Sequence, residues 1–227
     1  MSDQLPILKT YPTVAAVAAQ AARFLAQLCQ QQLQTQARVS VALSGGRTPW
    51  AMLDELAGLP LEWQRMDVFQ VDERIVGSDD LRLNATKIQQ HWISKTPATT
   101  FYPMPVTKPT DDAIGEYARL LEQVCPRGLD VVCLGLGADG HTASLIPGDP
   151  LCLNSTAVIG QSIIYQETTR LTLLRKPLNQ AKHKLWLVTG SDKRHALTQL
   201  LQQDTSVPAG LITGPATVFA DNAAAGI

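Results

Sequence analysis

The sequence predicts an α/β protein in which helices cover both faces of a mostly parallel sheet. Short apolar runs rich in β-branched residues alternate along the chain with stretches of helical periodicity. Several of these runs lead directly into loops rich in glycine or charge, as strands of a parallel sheet commonly do at their carboxyl ends. The length of 227 residues suffices for one hydrophobic core, and we expect residues 1–227 to form a single domain.

The composition excludes several classes of protein. Apolar residues make up 45% of the chain and the net charge is −1, so no basic excess attracts nucleic acid or anionic lipid. The N-terminus lacks a basic region followed by an apolar run, which predicts no signal peptide. Polar residues interrupt the most apolar stretch, 14–28, which therefore cannot span a membrane. Four widely spaced cysteines indicate reduced thiols in a cytoplasmic protein, with no metal site.

Helices are indicated by apolar residues at helical spacing and by capping residues. Thr13 can cap a helix over residues 13–34, and Asp111 can cap one over residues 111–124. Pro49 suits the first position of a helix. Two further helices are predicted over residues 84–93 and from a start within 189–193 to residue 202.

Strands are indicated by short runs rich in β-branched residues. The run that starts at Leu129 is typical of a strand buried on both faces, and it leads into a loop with three glycines. Beyond Pro147 the pattern weakens, and residues 156–164 and 170–174 predict an antiparallel excursion. The other predicted strands cover residues 38–43, 66–71, 184–188, 208–212 and 216–219, and residues 96–110 are predicted to form a loop.

Four junctions between a strand and a loop carry residues that can bind a ligand or take part in acid/base chemistry: 44–48, 72–74, 137–141 and 190–193. In the third of these, Asp139 and His141 place a carboxylate and an imidazole two residues apart. Because the carboxyl ends of parallel strands share one sheet edge, the four junctions can converge on one site. Phosphate ligands beside an acid/base pair predict a phosphorylated small molecule as the ligand.

Three of the junctions also have a simpler explanation. Residues 44–48 expose backbone N–H groups and hydroxyls that suit a single phosphate, but a glycine-rich turn capped by Thr48 has the same sequence. The charged residues 72–74 are equally typical of a solvated loop. Lys193 is equally typical of an ordinary surface lysine. The residues of the first junction that would hold phosphate are Ser44, Gly45, Gly46 and Thr48.

The spacing Gly135-x-Gly137-x-x-Gly140 formally matches the dinucleotide-binding fingerprint. That fingerprint requires a long helix, whereas Pro147 stops any helix here within about two turns. It also requires an acidic residue about 20 positions further on, and residues 158–164 contain none. We therefore reject a NAD site.

Six segments carry a recognisable pattern in a fixed order: SGGRTP (44–49), VDER (71–74) followed by Asn84, GLGADGHTASLIPG (135–148), RLTL (170–173), LVTGSDK (187–193) and PAGLI (208–212). These motifs resemble those of the 6-phosphogluconolactonases, within a larger group that includes the glucosamine-6-phosphate deaminases. The resemblance implies a three-layer α/β/α sandwich with a Rossmann-like sheet and no cofactor. It also implies hydrolysis of 6-phospho-D-glucono-1,5-lactone to 6-phospho-D-gluconate in the pentose phosphate pathway.

Two positions favour the lactonases over the deaminases. Deaminases carry a glutamate where this chain has Ile146, and a tyrosine where it has Arg74. The chain also departs from the common lactonase pattern, at Arg47, Gly77 and Leu83.

The resemblance and the residues together predict a site for a phosphosugar lactone. Neutral His141 is expected to take a proton from the attacking water, with Asp139 and Asp72 completing the catalytic group. The 6-phosphate would bind to the turn at 44–48 and to the cationic side chains Arg74, Lys193 and, as a weaker candidate, Arg170. Two alternatives stay open: an amino-sugar-phosphate isomerase or deaminase, and a non-catalytic phosphosugar-binding module. We expect a monomer or weak homo-oligomer.

Overall fold

The structure is a computed structural model, and it describes residues 5–96, 98–154 and 156–227. The segment 1–4, where no signal peptide is predicted, and Pro97, in the predicted loop 96–110, lie outside the described residues. The strands are β1 (Ile7–Tyr11), β2 (Val39–Leu43), β3 (Met66–Gln70), β4 (Asp72–Arg74), β5 (Thr100–Tyr102), β6 (Val131–Gly135), β7 (Ile159–Gln161), β8 (Arg170–Leu173), β9 (His183–Val188) and β10 (Ala216–Asp221). The helices are α1 (Val14–Leu33), α2 (Arg47–Ala57), α3 (Asn84–His91), α4 (Thr110–Val124), α5 (Arg175–Gln180), α6 (Arg194–Leu201) and α7 (Asn222–Ala225).

Seven strands form one parallel sheet in the order β1-β10-β9-β6-β2-β3-β5. The other three form a small antiparallel sheet in the order β4-β8-β7. Helices α1, α2 and α3 pack on one face of the large sheet. Helices α4 and α6 and the small sheet contribute to the core on the other face. The predicted α/β/α sandwich with a small antiparallel excursion is therefore confirmed.

Alternate side chains of the parallel strands fill these two cores. On β9, Leu185 and Leu187 pack with the helices of one face, whereas Trp186 and Val188 pack into the core of the other. All four side chains are buried. A strand buried on both faces presents side chains to both cores, which is why residues 185–188 of β9 form a continuous apolar run.

Helix starts agree closely with the predicted ones. Thr13 caps α1, and its side-chain oxygen accepts a hydrogen bond from the Ala16 N–H at 3.2 Å. Helix α2 begins at Arg47 instead of Pro49. Helix α4 begins at Thr110, so Asp111 lies in its first turn, where its charge interacts favourably with the helix dipole.

The predicted strand at 208–212 is wrong, because Pro208–Leu211 forms a 3₁₀-helix. Pro208 has no N–H to donate to a sheet, and it occupies the first turn of this helix. Gly210 packs so closely on the preceding loop that a Cβ there would lie 1.9 Å from the Asp204 carbonyl oxygen. The segment is therefore a tight turn and not a strand. It also contacts the loop that carries His141, because the Ala209 N–H donates a hydrogen bond to the Gly140 carbonyl.

Other differences concern short or peripheral strands. Within the predicted strand 156–164, the observed strand β7 covers only Ile159–Gln161, and β5 lies inside the predicted loop 96–110. The sequence pattern does not reveal β1, an edge strand on which Ile7 and Leu8 are exposed. Nor does it reveal α5, which is only six residues long.

All four cysteines are free, and three of them are buried, with Cys125 half-buried. In the part of the chain that the structure describes, no helix combines the length and the apolar character needed to cross a membrane. Among the same residues, no three His, Cys, Asp or Glu side chains come together as a group that could hold a metal ion.

Candidate active site

A cleft of about 320 Å³ opens where β2, β6 and β9 end, beside the small sheet. This is the edge at which open parallel sheets hold their ligands. Asp139 lies behind His141 and contacts its ring. The sequence-predicted residues that line the cleft are Ser44, Gly45, Gly46, Thr48, Asp72, Arg74, His141, Arg170 and Lys193.

The loop after β6 is shaped around the His141 imidazole. The Gly137 N–H donates to the His141 carbonyl at 2.8 Å, which closes the turn. A Cβ at Gly137 would lie 2.0 Å from His141 Nδ1, so a larger residue would displace the ring. Gly140 has a φ of +81°, and a Cβ there would lie 2.6 Å from Val207 Cβ. The glycines of this motif therefore make room for the imidazole and for the neighbouring loop.

Asp139 fixes the orientation of this imidazole. Its Oδ1 lies 2.6 Å from His141 Nδ1 and also accepts the His141 backbone N–H at 3.1 Å. A carboxylate only accepts hydrogen bonds, so in the neutral ring Nδ1 carries the proton and Nε2 carries the lone pair. Burial acts to raise the pKa of Asp139, but the charge and hydrogen bonds of His141 hold it below its ordinary value. Nε2 is thus the ring nitrogen available as a proton acceptor.

The turn at residues 44–48, between β2 and α2, has the features of an anion site, and we call it the anion turn. The first residues of α2 line the cleft, so the backbone N–H groups and positive dipole end of that helix lie beside it. Thr48 Oγ1 lies 2.7 Å from Thr189 Oγ1, which joins this turn to the loop after β9. The Ser44 hydroxyl is buried, and no hydrogen-bond partner for it occurs among the described residues. A buried unpaired hydroxyl is costly, so a ligand oxygen there would be stabilised.

Four cationic side chains line the same cleft: Arg47, Arg74, Arg170 and Lys193. Arg74 and Arg170 stand opposite each other on β4 and β8. Burial lowers the pKa of Arg74, and the charge of Arg170 lowers it further. Arg74 Nη1 donates to the Arg82 carbonyl at 2.8 Å, which anchors one end of its guanidinium. The cleft therefore concentrates positive charge beside the anion turn.

Asp72 is only 3% exposed, and it belongs to a strand instead of the solvated loop considered above. Its Oδ2 accepts a hydrogen bond from Ser144 Oγ at 2.6 Å and lies 3.3 Å from Arg170 Nη1. The Asn84 side-chain amide donates to the Asp72 carbonyl at 3.0 Å. Asp72 therefore balances one of the cations and ties the small sheet to the loop after β6.

Sequence reasoning assigns no role to several other residues of the cleft. Asn84 packs so closely on Gly45 that a Cβ there would lie 2.1 Å from Asn84 Oδ1. Its only sequence signal is its position after the VDER segment. Thr189 lies inside the matching segment 187–193, whereas Gln166 carries no such signal, because only the fold brings it to the site. The cleft-lining residues missed in this way are Arg47, Asn84, Gln166 and Thr189.

The fold and the cleft define a three-layer α/β protein that presents an imidazole and a group of cations at one sheet edge. The family model described as "Glucosamine-6-phosphate isomerases/6-phosphogluconolactonase" matches residues 12–220. A 6-phosphogluconolactonase of Synechocystis is 33% identical over 174 residues, covering 71% of this chain and 70% of the relative. The chain belongs to the family of glucosamine-6-phosphate isomerases and 6-phosphogluconolactonases.

Solved structures share the fold across both activities of this family. A 6-phosphogluconolactonase of Thermotoga maritima has a TM-score of 0.86 at 24% identity, with coverage of 95% of this chain and 99% of that chain. A monomeric glucosamine-6-phosphate deaminase has a TM-score of 0.85 at 18% identity, with coverage of 97% and 99%. The fold alone therefore does not separate hydrolysis from deamination.

Proposed function

We propose that this protein hydrolyses 6-phospho-D-glucono-1,5-lactone to 6-phospho-D-gluconate. The observation that carries the proposal is that His141, oriented by Asp139, lines the same cleft as the anion turn and the arginines. The lactonase relatives support it, as do Ile146 and Arg74 at the two positions that distinguish the deaminases.

In the proposed mechanism, Nε2 of neutral His141 accepts a proton as the oxygen of a water molecule bonds to the lactone carbonyl carbon. The carbonyl electron pair moves onto its oxygen. When this tetrahedral adduct collapses, the bond between the carbonyl carbon and the ring oxygen breaks, and the imidazolium returns its proton to that oxygen. Asp139 keeps Nδ1 protonated and stabilises the imidazolium. Backbone N–H groups of the glycine-rich turns stabilise the oxyanion, each well-placed donor contributing about 3 kcal/mol.

The 6-phosphate binds at the other end of the cleft in this proposal. The Ser44 hydroxyl and the first turn of α2 donate to its oxygens. Arg74 and Lys193 supply charge, and Arg170 lies beside them. Asp72 acts by holding Arg170, through the contact at 3.3 Å. The cytoplasmic location and the monomeric or weakly oligomeric state stay predictions.

The decisive experiment measures 6-phosphogluconate formed from freshly made lactone, corrected for spontaneous ring opening in matched buffer. We expect saturable hydrolysis well above the spontaneous rate. Incubation with glucosamine 6-phosphate should release no ammonia, and ammonia release would instead support an isomerase or deaminase. Binding of the phosphosugar without turnover of either compound would indicate a binding module and overturn the proposal.

Arg74→Ala is expected to raise KM about tenfold and to change kcat by less than about threefold, because a charged hydrogen bond to phosphate forms equally in ground and transition states. Steady-state kinetics on fresh lactone measure both constants. Arg119→Ala, on the exposed surface of α4, removes an arginine outside the cleft and should leave KM unchanged. A loss confined to kcat would contradict the binding role of Arg74.

A further inference from the structure

The tip of the hairpin between β7 and β8 reaches the candidate site, and the mechanism above does not use it. Tyr165 and Thr168 form an isolated bridge across the turn. The two residues between them, Gln166 and Glu167, have φ angles of 50° and 73°. Non-glycine residues occupy this left-handed region at a cost, and surrounding contacts must hold them there.

Two side-chain contacts fix this tip beside the cleft. Arg170 Nη2 donates to Gln166 Oε1 at 3.3 Å, and Gln166 itself lines the cleft. Arg82 Nη1 lies 3.4 Å from Glu167 Oε2, so the loop before α3 also contacts the tip. The hairpin tip is thus joined to the strand and the loop that flank the cationic end of the site.

Tyr165 extends from this tip to the acid/base pair. Its hydroxyl lies 3.4 Å from Asp139 Oδ2 and 3.4 Å from His141 Nδ1. Its ring meets the imidazole edge-on, with the ring centroids 5.1 Å apart and an interplanar angle of 62°. The guanidinium carbon of Arg170 lies 5.9 Å from the centroid of the Tyr165 ring. Burial and the charge of Asp139 raise the pKa of Tyr165, so the phenol stays protonated and can donate.

We propose that Tyr165 is a positioning residue for the Asp139–His141 pair. Its hydroxyl donates to Asp139 Oδ2, which leaves Oδ1 for His141, and its ring limits rotation of the imidazole. Such support is needed because 41% of the Asp139 side chain and 22% of the His141 side chain are exposed, so water competes for the contacts between them. The expected effect on turnover rests on the proposed function, whereas the orientation of the imidazole is a property of the free protein.

The experiment compares Tyr165→Phe, which keeps the ring, with Tyr165→Ala, which removes both contacts. Steady-state kinetics on fresh lactone give kcat and KM, and ¹⁵N NMR of the free protein reports which ring nitrogen of neutral His141 carries the proton. We expect Tyr165→Ala to lower kcat about threefold to tenfold, the range expected for a single hydrogen bond, with KM within about twofold. The Nδ1–H form should dominate in the wild type and give way to a mixture with the Nε2–H form in Tyr165→Ala. Tyr165→Phe should give values between those of the wild type and Tyr165→Ala in both measurements. Because it keeps the ring packing, it still tests the proposal if Tyr165→Ala does not fold.

Ile164→Ala provides the matched control, because Ile164 is the neighbouring hairpin residue and 73% exposed. It should leave kcat and the His141 spectrum unchanged. The proposal is overturned if both tyrosine variants keep the wild-type kcat and spectrum, if kcat falls while the spectrum stays wild-type, or if only KM changes. If the wild type does not hydrolyse the lactone, the proposed function fails, and the NMR comparison alone decides whether Tyr165 positions the imidazole.

Discussion

Replacing His141 by alanine is expected to lower kcat for lactone hydrolysis about a hundredfold, while KM changes by less than about threefold. The imidazole lines the cleft, and the lone pair on its Nε2 is the proposed acceptor of the proton from the attacking water. Its removal leaves the anion turn and the arginines in place, so the substrate should still bind. Hydrolysis of fresh lactone, followed by phosphogluconate formation, measures both constants.

His195→Ala is the matched control, because His195 is an exposed histidine of α6 that does not line the cleft. It should retain wild-type kinetics. The circular dichroism spectrum of His141→Ala should match that of the wild type, since the imidazole is not part of either core. Turnover near the wild-type rate in His141→Ala would remove this residue from the mechanism.

Replacing Glu73 by alanine is expected to lower the free energy of unfolding by about 3–5 kcal/mol. Glu73 is 0% exposed, and its carboxylate accepts four hydrogen bonds of 2.7–2.9 Å. Burial raises its pKa, even though these hydrogen bonds favour the charged form. Alanine would leave all four donors, two of them buried and two partly buried, without this acceptor. The donors are the backbone N–H groups of Arg74, Asn84 and Ala85 and the side-chain amide of Gln70.

Urea denaturation at neutral pH measures this loss. Glu73→Gln keeps the packing volume and one acceptor oxygen. We expect it to lower the free energy of unfolding by about half as much as Glu73→Ala, because its NH₂ group faces hydrogen-bond donors. Glu122→Ala, on the exposed surface of α4, should change the free energy of unfolding by less than about 0.5 kcal/mol. A loss below about 1 kcal/mol in Glu73→Ala would show that the buried carboxylate does not hold β4 and α3 together.

The sequence predicts those parts of the molecule that depend on local pattern. The strands β2, β3, β6 and β9 are rich in apolar residues because both of their faces are buried. The loops that follow carry glycine where backbone and side chains approach closely, so the motif around His141 marks the site without knowledge of the fold. Short edge strands such as β1 lack this pattern, because exposed residues interrupt it.

Contacts between distant parts of the chain are the features that the sequence does not predict. Tyr165 lies 24 residues after His141, and only the folding of the small antiparallel sheet brings its hydroxyl to the imidazole. Asn84 reaches Gly45 because Glu73 binds the first backbone N–H groups of α3. At 208–212 the apolar content favours a strand. The segment forms a 3₁₀-helix instead, because Pro208 lacks an N–H for a sheet and Gly210 packs closely on the Asp204 backbone.

The cross-strand pairing of Arg74 with Arg170 has a thermodynamic consequence for the whole protein. Like charges that face each other across a ladder repel, and only one of this pair has Asp72 as an ionic partner among the described residues. Folding must overcome that repulsion, and a dianion bound between the guanidiniums would cancel it. If phosphate binds in the cleft as proposed, its binding would therefore raise the free energy of unfolding, because binding and folding are linked by the same coupling free energy.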